Sequence, residues 1–101
     1  MKTTVFETGQ LCTTIGIYNA MKDYPQFAIF CQNALNKHKS QDWGDLGEED
    51  KEINNESLKN DERILSRYDL PNNSNFPDQE KIYIITEWNR SLTTILFPSE
   101  Y

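Results

Sequence analysis

An α+β domain, with a small antiparallel sheet ending in a C-terminal hairpin and packed against two or three helices, is the fold that this sequence predicts. Two patterns carry that expectation. From Pro25 to His38 apolar residues recur at helical spacing, and from Lys81 to Phe97 two β-branched, aromatic-rich runs flank a turn. Both patterns share a chain of 101 residues that is 37% apolar, enough for one core and one domain spanning residues 1–101.

Taken in order, Thr3-Thr4-Val5-Phe6 has strand chemistry, and Gly9 breaks the run. Thr14 is placed to cap a short helix that contains Ile17, Ala20 and Met21. Pro25 stands where the first residue of a second helix belongs. Phe27, Phe30, Cys31, Ala34, Leu35 and His38 follow it at i, i+3, i+4, i+7, i+8 and i+11, a single buried stripe. Lys37 and Lys39 close that helix, where positive charge complements the dipole. Gly44 and Gly47 punctuate the chain, and Asp45 is expected to start a third helix running to about Lys59, with acids enriched in its first turn. Its only apolar contacts are Leu46, Ile53 and Leu58, so it belongs on the surface.

Ile64 to Tyr68 reads as a strand, and Pro71 to Pro77 as a turn-rich loop. In the hairpin, an Asn89-Arg90 loop sets Ile82 against Phe97, Ile84 against Ile95 and Thr86 against Thr93 on one side. Tyr83 then meets Leu96, and Ile85 meets Thr94, on the other. A four-residue loop from Trp88 to Ser91 is the alternative. Both hairpin faces are apolar near the middle, so each should be covered.

Charge is distributed unevenly. Nine of the sixteen carboxylates lie between Asp42 and Glu62 with only Lys51 and Lys59 to offset them, a local −7 against a net −6. The other residues sum to about +1. Such a distribution steers basic partners inward and repels nucleic acid. On one continuous helix, Asp45, Glu49, Glu52 and Glu56 fall at spacings of four, three and four and share one face. Successive members rise about 4.5 to 6 Å, a ladder comparable with phosphate spacing along a nucleic-acid strand and able to enter a Lys/Arg-lined channel. An ordinary solvated helix face is the competing reading.

Other chemistry finds less support. No apolar run reaches the length of a membrane span and Met1-Lys2-Thr3-Thr4 lacks a hydrophobic signal stretch, which reads as a soluble cytoplasmic protein. Cys12 and Cys31 sit singly among apolar neighbours, as buried thiols do. Asp42, Asp45, Glu48, Glu49 and His38 offer oxygen and nitrogen ligands in a short span, but the spacing of a calcium loop or zinc site is absent, and neither a metal nor a cofactor is expected. His38, the only histidine, ends the apolar stripe as a partly buried structural residue. Trp43 and Trp88 each lie beside charge near a turn, as a partner anchor does or as a lid over a small core does. Glu87, Trp88 and Arg90 form a secondary contact patch at the hairpin tip.

The segments Asp42-Trp43-Gly44-Asp45-Leu46, Glu49-Asp50, Asn54, Leu58, Ile82 to Glu87 and Arg90 to Tyr101 resemble small plasmid-related proteins of bacterial mobile elements, over nearly the whole chain. The resemblance supplies no catalytic residue. It implies an anti-defence factor, since small acidic proteins of such elements include anti-CRISPR proteins that block type II effector nucleases and anti-restriction proteins that imitate DNA. The expected function is therefore a non-enzymatic, nucleic-acid-mimicking inhibitor of a basic nucleic-acid-binding protein, probed through Trp43, Asp45, Glu49, Glu52, Glu56, Trp88 and Arg90. A plasmid-maintenance or antitoxin-like interaction protein is the first alternative, and a small metal-dependent RNA nuclease using His38 and Asp42 the second.

Overall fold

A computed structural model of the protein describes residues 6–71 and 79–101. Strand β1 (Gln10–Thr13) is followed by helices α1 (Ile15–Asp23), α2 (Pro25–Lys39) and α3 (Glu48–Asn60), then by strands β2 (Ile64–Asp69), β3 (Lys81–Thr86) and β4 (Leu92–Leu96) and a closing 3₁₀ turn at Pro98–Glu100. The strands form one sheet in the order β1-β4-β3-β2. The α+β architecture is thus present, with one addition: β1 runs parallel to β4, making the sheet mixed.

Local chemistry explains the helices. Thr14 caps α1, its hydroxyl accepting from the Ile17 amide. The same hydroxyl donates to Glu100, whose second carboxylate oxygen takes the Gly16 amide, so the C-terminal turn also caps this helix. Pro25 begins α2, and of the expected stripe Phe27, Cys31, Ala34, Leu35 and His38 are buried while Phe30 is only partly so. That stripe and Ile17 and Ala20 of α1 pack on Ile82, Ile84, Ile95, Tyr68 and Phe97, forming the main core on one face of the sheet. Ile85 and Leu96 are buried on the other face, where Tyr101 meets Tyr83 edge to face at 6.0 Å.

The hairpin register is Tyr83 to Leu96, Ile84 to Ile95, Ile85 to Thr94 and Thr86 to Thr93, the pairing expected from sequence. Its loop is the four-residue alternative: the Glu87 amide donates to the Leu92 carbonyl, closing the turn around Trp88 to Ser91. Arg90 takes the left-handed conformation there. Of the strand expected at residues 3–6, only Phe6 is described, and it lies outside any strand. The expected loop at residues 71–77 falls almost entirely outside the described residues.

The outer edge of β2 bears on the candidate site because α3 and the loop before it cover that edge at Leu65, Arg67 and the Asp69 amide. Asn54 of α3 lays its amide against the Leu65 backbone, donating to the carbonyl at 2.7 Å and accepting from the amide at 3.3 Å. Two residues on, the Arg67 amide donates to the Trp43 carbonyl and the Arg67 carbonyl accepts from the Asp45 amide. At the end, the Asp69 amide donates to the Asp45 carboxylate at 2.8 Å. Gly44 sits here with φ +76°, and a Cβ would collide with the Arg67 carbonyl and the Tyr68 ring. Every outward backbone group of Leu65 and Arg67 thus has a partner, which removes the pairing template that an edge strand otherwise presents.

Candidate functional site

Helix α3 begins at Glu48 rather than at Asp45. Gly47 is its N-cap, and Glu48, Glu49 and Asp50 fill its first turn, where the dipole favours acids. Asp45 is therefore not a rung of the acidic ladder. The left-handed Gly44 turns the chain onto the edge of β2, and the Asp45 carboxylate is spent on the Asp69 amide. The ladder contracts to Glu49, Glu52 and Glu56.

Those three stand outward for a clear reason. The buried residues of α3 are Asn54 and Ser57, fixed by the seal on Leu65 and by the Ser57 carbonyl, which accepts from Arg90. On a helical wheel the three glutamates lie roughly opposite that inner face. All are exposed. Among the described residues none makes an ion pair or hydrogen bond; the helix's ion pair is the exposed Lys51 to Glu48 contact at 3.7 Å, a geometry of little energetic consequence.

Trp43 is not available as a surface anchor. It is 3% exposed, its indole N–H donates to Asn55 at 2.9 Å, and its ring packs edge-on to His38 at 5.7 Å and beside Phe6 at 6.0 Å. Burying the ring locks α3 to the loop that precedes it. Trp88 takes the opposite position, 63% exposed in the hairpin loop. Arg90 is half-buried and structural: its guanidinium donates to the carbonyls of Ser57, Glu62 and Glu87. It thereby sets the Trp88 loop against the last turn of α3.

His38 is fully buried, more than the sequence indicated. Its Nδ1 lies 2.6 Å from the Ser66 hydroxyl and its Nε2 2.8 Å from the Thr86 hydroxyl. Thr86 bonds Thr93 at 2.7 Å, and Thr93 donates to the Thr8 carbonyl at 2.8 Å. Since that carbonyl only accepts, the proton order of the chain is determined: Thr93 donates to Thr8, Thr86 to Thr93, His38 Nε2–H to Thr86, and Ser66 to Nδ1. The ring is neutral, and burial pushes its pKa down to about 3. With both nitrogens engaged, His38 serves neither as a metal ligand nor as a base. Burial likewise pushes the Cys31 thiol up to about 12, leaving it unreactive.

Among the described residues no three His, Cys, Asp or Glu side chains gather so as to hold a metal ion, and no helix is long and apolar enough to cross a membrane. What the sequence reading missed beside the acidic ridge is an apolar one. Ile53 is 59% exposed, and an open groove of about 280 Å³ runs beside it, lined by Leu46, Asp50, Ile53, Asn54, Arg63 and Leu65. The signal lay in Ile53 itself, expected to face the body but displaced from the inner face by Asn54. Comparison of the chain with protein-family models, curated proteins and solved structures found no match.

Proposed function

We propose that the protein is a non-enzymatic inhibitor that works by contact, presenting α3 to a basic nucleic-acid groove of a partner in the cytoplasm. The observation that carries this reading is the ridge Glu49, Glu52 and Glu56: three exposed carboxylates, without partners among the described residues, on a helix whose inner face is anchored by Asn54 and Ser57. Carboxylates held in that way meet a cationic groove without first breaking contacts of their own. Trp88 is placed to extend the contact from the hairpin loop. The target class that fits best is a type II RNA-guided nuclease, whose heteroduplex lies in a positively charged channel, and the role is that of an anti-CRISPR protein of a mobile element.

The test is DNA cleavage by a purified, guide-loaded type II nuclease at about 0.15 M salt, where exposed charges still act over roughly 8 Å. The native protein should suppress cleavage, and the triple variant Glu49→Lys, Glu52→Lys, Glu56→Lys should be at least about tenfold weaker while keeping its circular dichroism spectrum. Undiminished inhibition by that variant, or none by the native protein, would overturn the reading.

A further inference from the structure

We infer that the groove beside Ile53 is a docking site for a basic amphipathic helix of the partner protein, with an apolar side chain seated between Leu46, Ile53 and Leu65. This inference rests on the proposed function and adds the form of the element that α3 meets. The groove's volume of about 280 Å³ falls just below the usual range of small-molecule pockets, yet it suits protruding side chains. Charge fixes its polarity. Along the α3 side stand Asp50, which lines the groove, and Glu49 and Glu56, which flank Ile53 on the helix surface. At the other side stands Arg63, held over the Tyr101 ring at 5.4 Å and donating to the Tyr101 hydroxyl. A complementary element therefore carries Lys or Arg on the flank facing α3, apolar residues at its centre, and neutral or acidic residues toward Arg63.

Backbone chemistry selects a helix over a strand. Adding a strand requires an unpaired sheet edge, and the neighbouring edge of β2 is already closed by Asn54, Trp43 and Asp45. A partner must therefore engage side chains alone, as an amphipathic helix laid in a groove does. The apolar requirement also separates this site from simple polyanion mimicry, where charge alone would suffice.

Two synthetic peptides of about 18 residues, identical in Lys and Leu content, provide the probe: one with Leu at i, i+3, i+4 and i+7, the other scrambled so that no apolar face forms. Titrated into the full-length protein and followed by methyl and amide NMR, the patterned peptide should bind at least about tenfold more tightly and shift the signals of Leu46, Ile53 and Leu65. Ile53→Ser, at an exposed position, should erase that preference with the fold retained. Equal binding of both peptides with shifts confined to the glutamates would overturn the groove and leave acidic docking intact. Binding of neither peptide at low salt would count against both readings.

Discussion

His38 shows how one side chain can be both buried and polar. Its two nitrogens join Ser66 on β2 to Thr86 on β3, and the chain of hydroxyls ends on the Thr8 carbonyl, so the proton order of the whole network is determined by a group that can only accept. Phe6 and Trp43 pack edge-on to the ring and exclude water. The pH consequence follows from the lowered pKa. Between about 6.5 and about 3 the unfolded chain binds a proton at His38 that the folded protein does not, so this contribution to stability is complete above pH 6.5 and declines as pH falls. At 1.36 kcal/mol per pH unit, acidification from pH 7 to pH 5 should cost about 2 kcal/mol. Urea unfolding at pH 7, 6 and 5 measures it. His38→Gln, which keeps a donor and an acceptor but cannot titrate, should be less stable at pH 7 and lose most of that slope; an unchanged slope would mean that the native pH dependence arises elsewhere.

At the scale of elements, the closing of β2 by α3 decides which parts of this fold were legible beforehand. The stripe of α2 and the hairpin register could be read because each is written in a local period, 3.6 for one and 2 for the other. Strand β1 could not: four residues at 10–13 pair in parallel with residues 92–95, and nothing near them in sequence marks that partner. The start of α3 was misplaced because Asp45 has the chemistry of an N-cap, while the competing demand, an acceptor for the Asp69 amide, appears only once the sheet is formed. The same holds for the segment Asp42 to Leu46 and for Asn54, Thr86 and Arg90, whose roles are architectural: sealing an edge, completing the His38 network or tying a loop. Asn54 is the sharpest test of that role. Asn54→Ala strands the Leu65 amide and carbonyl and should cost about 1–3 kcal/mol. Asn54→Asp keeps the acceptor but sets a carboxylate against the Leu65 carbonyl, and should be at least as damaging. Both should accelerate hydrogen exchange at Leu65 before that of Ile84, and Asn54→Ala should show concentration-dependent association as the edge opens. Equal protection of Leu65 in the variant and the native protein would refute the seal.

For the whole molecule the question is whether the acidic ridge serves the fold or is carried at the fold's expense. Helix α3 is tied to the rest of the fold through neutral groups of its own: Asn54 on the Leu65 backbone, the Ser57 carbonyl on Arg90, and Asn55, which receives the indole N–H of Trp43. None of these contacts needs a charge on the outer face. Glu52 has Glu48 four residues before it, Glu49 three before it and Glu56 four after it, and like charges at these spacings oppose helix formation. It also lies beyond the first turn, so the dipole compensates it little. Gln has nearly the helix propensity of Glu, which makes Glu52→Gln a change in charge alone. If the ridge is kept for binding, this variant should melt a few degrees above the native protein at low salt. The gap should close near 1 M salt, where the screening length falls to about 3 Å. Binding to a basic partner should weaken in the same variant, separating a contribution to function from a cost to stability. A lower melting temperature at low salt would show instead that Glu52 supports the helix, and the ridge would then be explained by folding alone.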